Sequence, residues 1–110
     1  MEKERRSAPR ARVKLAARWE GAMSRENATV TDLSRNGCFV LTGGKVEVKE
    51  LVSLEIHLTE TQTVNFWAEV VDAASEIGFA LKFNSSSPDD EATLAGFLEK
   101  FFQTDAQKTP

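Results

Sequence analysis

The chain has 110 residues, 41% hydrophobic and 28% charged, with a formal net charge of −3, which suits one ordinary soluble domain with a modest core and leaves no room for a second. No apolar run approaches the roughly 18 residues that a membrane span needs, and the basic, broken N-terminal stretch is no secretory leader, so a cytoplasmic protein without membrane insertion is expected. A single cysteine, Cys38, excludes an internal disulfide and paired-cysteine metal motifs, while one histidine, His57, and no clustered carboxylates in the strand region argue against an enzyme and against a resident cofactor.

The charge is unevenly spread from the start of the chain. Residues 1–18 hold seven of the fourteen basic side chains against Glu2 and Glu4, so this segment carries +5 and the remainder −8. A cationic arm on an acidic body suits a small anionic partner better than a long nucleic acid, which the body would repel. A purely solvated tail has the same look. Residues 1–12 read as a flexible basic arm. Within RRSAPR, residues 5–10, Pro9 forbids helix and pushes Ala8 to extended geometry, so Arg6 and Arg10 are spread along the chain.

Strands follow, over a domain set at 13–103. Val13, Leu15, Ala17 and Trp19 alternate with polar or small residues, and Ala28 and Val30 repeat the pattern. NGCFVL, residues 36–41, adds a short strand after a turn. Val52, Leu54, Ile56 and Leu58 alternate, as do Val64, Phe66, Ala68 and Val70, then Ile77, Phe79, Leu81 and Phe83. About six strands with one apolar face each imply a mainly β domain, an antiparallel sheet curled into a barrel or sandwich. Trp19 and Trp67 read as packing residues, Cys38 as packing beside the turn, and His57 as an outward residue without a carboxylate partner.

The period then changes to that of a helix. Ser87 reads as its N-cap, Pro88 as its first residue, and Asp89, Asp90 and Glu91 complement the positive end of its dipole. Leu94, Phe97, Leu98, Phe101 and Phe102 form an apolar stripe whose default role is to close the barrel and whose alternative is to face a partner, and residues 104–110 read as a disordered tail.

Pairing brings the arm to a second polar stretch. If the strand over 13–20 turns and returns as 26–32, Asp32 lies opposite Val13 or Lys14, and the arm leaves the sheet beside DLSRNG, residues 32–37. Arg6 and Arg10 offer planar forks for phosphate oxygens or a guanine edge. The Asp32 carboxylate suits the paired N1–H and N2 donors of guanine, Ser34 adds a hydroxyl, and Gly37 permits positive φ or close approach to a ligand. As a turn alone, Asn36-Gly37 would explain this loop; its nearness to the arm makes it a candidate site.

With RRxxxR (Arg5, Arg6, Arg10), then DxSxxG (Asp32, Ser34, Gly37), then IGFALKF, the chain from about Glu4 to Phe102 resembles the PilZ domain family, bacterial receptors for the second messenger cyclic di-GMP. The resemblance implies a six-stranded antiparallel β-barrel with a C-terminal α-helix. It implies cyclic di-GMP as ligand, held between arm and barrel by Arg5, Arg6, Arg10, Asp32, Ser34 and Gly37. The extra Arg5 is similar to relatives that take two stacked ligand molecules. Val71 stands where many relatives carry an aromatic residue, so stacking from that position is not implied. The expected role is a receptor or adaptor whose arm orders over the ligand and which signals in trans to an unidentified protein effector. Two other readings stay open: a PilZ-like protein-interaction adaptor that does not use the nucleotide, and a nucleic-acid-binding barrel with a basic arm.

Overall fold

The computed structural model describes residues 9–108. Six strands and one helix follow in order: β1 (Ala11–Glu20), β2 (Arg25–Leu33), β3 (Gly37–Leu41), β4 (Leu51–His57), β5 (Thr63–Asp72), β6 (Gly78–Ser85) and α1 (Pro88–Lys108). The strands close into an antiparallel barrel in the order β1-β2-β3-β6-β5-β4, with β4 returning to β1. Closure leaves no unpaired edge among these strands, which removes the usual route to edge-to-edge association. No helix among the described residues is long and apolar enough to cross a membrane.

Alternation fills the interior. Val52, Leu54 and Ile56 of β4 and Val64, Phe66, Ala68 and Val70 of β5 are all buried, as the period of two requires. Trp19 is fully enclosed: its ring meets Phe79 edge-on at 5.2 Å, and its indole N–H donates to the Thr42 hydroxyl at 3.0 Å. The helix adds Leu94 and Leu98 to this core, with Phe97, Phe101 and Phe102 half-buried against it. Its start is capped as the sequence implies, the Asp90 N–H donating to the Ser87 hydroxyl at 3.0 Å.

Several expectations are corrected. β1 begins at Ala11, so Arg12 belongs to the sheet rather than to the arm. Asp32 pairs with Arg12, not with Val13 or Lys14, because Val13 and Lys14 together oppose Thr31 in a bulge. The helix runs past Gln103 to Lys108, with no glycine or proline in that stretch to stop it. Ile77 is 63% exposed: β6 starts one residue later at Gly78, where the β3 backbone passes so close that an added Cβ would meet the Val40 carbonyl. Trp67 is 54% exposed, on the outer face of β5 between Ser53 and Ser85, since its inward neighbours Phe66 and Ala68 leave it only that side. His57 is exposed, yet Glu55 on the same face of β4 lies 3.5 Å from its ring.

Candidate functional site

The β2–β3 turn is built by one hydroxyl. Ser34, buried at the end of β2, accepts from the Asn36 N–H at 3.1 Å and the Gly37 N–H at 3.2 Å and donates to the Gly37 carbonyl at 3.3 Å. The Ser34 N–H also donates to that carbonyl, at 2.9 Å. A short side chain that satisfies neighbouring backbone donors is what a tight connection needs. The Asn36 carbonyl in turn accepts from the Phe83 N–H at 2.8 Å, tying the turn to β6.

Gly37 serves this arrangement by proximity rather than by handedness. No glycine among the described residues has positive φ, so that part of the expectation is corrected. Gly37 instead lies against β6, where an added Cβ would collide with the Leu81 carbonyl.

Register then brings the chain's start to this turn. Ala11 pairs with Leu33 and Arg12 with Asp32, so Arg10 leaves β1 at the end of the barrel where β2 turns. Arg10, Asp32, Ser34 and Gly37 line one groove of about 440 Å³, completed on its far side by Asp72 and Lys82. Arg10 and Lys82 are exposed, Asp32 is half-buried, and Ser34 is 7% exposed with its hydroxyl turned into the loop. Arg5 and Arg6 lie outside the described residues.

Chemically, the groove sets Arg10 and Lys82 on either side of the Asp32 carboxylate and the backbone of the β2–β3 turn, with Asp72 beyond Lys82 on β5. That composition can neutralise an anionic group while reading a hydrogen-bonding edge. The sequence singled out neither Lys82 nor Asp72. Lys82 occupies an outward position of the alternating run after Gly78, which was readable, but its place beside Gly37 comes from the pairing of β3 with β6. Val71 also lines the groove, so the position where an aromatic side chain is missing does face the site. Arg35, inside the DLSRNG stretch, lines instead a separate cavity of about 340 Å³ toward the start of α1.

Comparison with known proteins agrees with this architecture. Residues 4–100 match the PilZ domain family. Among solved structures, the inhibitor of motility MotI/DgrA of Bacillus subtilis superposes with a TM-score of 0.74 at 18% identity, over 94% of this chain and 52% of that one. YcgR from Escherichia coli, solved in complex with c-di-GMP, gives 0.73 at 18% identity, over 96% and 51%. The PilZ domain of CeSA from a cellulose-synthesizing bacterium gives 0.62 at 14% identity, over 87% and 97%. The chain thus spans about half the length of the first two. No curated protein matches it.

Proposed function

The chain belongs to the PilZ domain family, and on that premise we propose that it is a cyclic di-GMP receptor whose N-terminal arginines close over the ligand at the groove between β1, the β2–β3 turn and β6. The observation that carries this reading is the pairing of Ala11 with Leu33, which delivers Arg10 to the same groove as Asp32, Ser34 and Gly37. The match of residues 4–100 with the family and the fold shared with a structure containing c-di-GMP support it.

Each group has a distinct task. The guanidinium forks of Arg5, Arg6 and Arg10 take phosphate oxygens and stack on guanine. The Asp32 carboxylate accepts from the N1–H and N2 donors of a guanine. Ser34 acts mainly by holding the turn, since its hydroxyl is engaged with Asn36 and Gly37. Gly37 keeps β3 and β6 close and leaves the groove floor bare. Ordering the arm changes the surface at this end of the barrel, and a protein partner reads that change.

Isothermal titration of cyclic di-GMP into the wild type is expected to show saturable binding, with stoichiometry reporting one ligand or a stacked pair. Arg6→Ala, Arg10→Ala and Asp32→Asn should each weaken binding by about tenfold or more while retaining the melting temperature. Equal affinity in all three variants would overturn the site, and an inert wild type would overturn the receptor.

A further inference from the structure

We propose that Lys82 is a ligand-contacting residue, the cation that takes a phosphate of the dinucleotide at the side of the groove opposite Arg10. This rests on the receptor reading above.

The placement follows from strand order. Going round the barrel from β1, the chain passes β2 and β3 before reaching β6. Arg10 precedes Ala11, which pairs with Leu33; Cys38 pairs with both Leu33 and Leu81; Lys82 follows Leu81 and pairs with Gly37. Three inter-strand steps of about 4.8 Å put roughly 14 Å of curved barrel wall between the two strands, and a shorter straight line joins them. Long cationic side chains from both flanks can therefore reach toward a ligand lying over Asp32 and Ser34.

Gly37 matters to this geometry. Because the residue paired with Lys82 on β3 has no side chain, nothing at that position stands between the lysine's aliphatic stem and the groove. On the other flank Glu69 of β5 pairs with Lys82 in register. Among the described residues, however, Lys82 is in no ion pair.

Charge supplies the second argument. The described lining of the groove holds two carboxylates, Asp32 and Asp72, and two cations, Arg10 and Lys82. Asp72 is partly engaged, accepting from the Ala74 N–H at 3.0 Å. Without Lys82 this lining would be net negative and would repel a phosphate; with it the lining is neutral before the arm adds its own charge. A lysine suits the task, since it acts as a compact point charge on a phosphate oxygen without the fork geometry of arginine.

The test is titration of cyclic di-GMP into wild type, Lys82→Gln, Lys82→Arg and, at the far end of the barrel, Lys45→Gln, each at about 50 mM and 500 mM salt. Lys82→Gln should bind roughly tenfold more weakly at low salt and lose part of the salt dependence. Lys82→Arg should restore both, and Lys45→Gln should match wild type. Wild-type binding with an unchanged Kd and salt dependence in Lys82→Gln would overturn this assignment and leave the receptor reading standing. A Lys82→Arg variant as weak as Lys82→Gln would overturn it too, because charge would not be the cause. Failure of the wild type to bind would remove the receptor reading itself.

Discussion

At position 38 a thiol faces the interior of β3, and burial pushes its pKa up, because the thiolate would lose its hydration there. In the unfolded chain the same thiol ionises near pH 8.5. A group whose folded pKa is raised leaves stability intact below its unfolded pKa, and stability falls as pH climbs above it, since only the unfolded state then releases the proton. Urea unfolding at several pH values above about 8.5 should show wild-type stability declining relative to Cys38→Ala by up to about 1.4 kcal/mol per pH unit. Parallel profiles would contradict the burial. The inward position of Cys38 was legible, because it shares the parity of Val40. The fate of Trp67 was legible too, yet the general tendency of tryptophan to pack masks it: parity with Phe66 and Ala68 already put the ring outside.

At the level of elements, local chemistry predicts the helix start well, its far end and the strand ends less well, and register poorly. Ser87, Pro88 and the acidic first turn announce the helix start, and the observed cap is the expected one. That cap does more than begin a helix. Asp90, whose N–H is held by Ser87, uses its own carboxylate to accept from the Asn65 N–H at 3.0 Å near the start of β5. Ser87→Ala should therefore cost about 1 kcal/mol in chemical denaturation, the ordinary value for a lost N-cap, and should reduce hydrogen-exchange protection at both Asp90 and Asn65. A loss confined to Asp90 would show the link to β5 to be idle. Register is harder to read because bulges cost no pattern: with Val13 and Lys14 both opposite Thr31, the sequence on either side still alternates. The shift nevertheless moves Asp32 from Val13 or Lys14 to Arg12.

Across the molecule, the proposed site draws on β1, the β2–β3 turn and β6, elements that meet only when β3 pairs with β6. A ligand bound there binds the folded state alone. Cyclic di-GMP at about 100 times its Kd should then raise stability by about 2.7 kcal/mol, a melting shift on the order of 10 °C for a domain of this size. Arg10→Ala at the same ligand concentration should gain clearly less, with a similar melting temperature when free. No shift in the wild type at saturating ligand would refute the coupling between site and fold. The uneven charge fits the same picture, as a positive arm approaching a barrel of opposite sign is drawn toward it at low salt.

Strand faces, the helix start and its cap, and the concentration of cations near the start of the chain are all legible in the sequence, because near neighbours along the chain set them through period, propensity and charge. The motif pair of Arg5, Arg6 and Arg10 with Asp32, Ser34 and Gly37 was readable as a resemblance. Barrel closure supplied the rest. It pairs β3 with β6, bringing together residues such as Gly37 and Lys82 that stand 45 apart in sequence, and so explains why position 37 has no room for a side chain and how Lys82 comes to line the groove that Arg10 enters. Such adjacency depends on long-range hydrogen-bonded register, for which the local period of two carries no information.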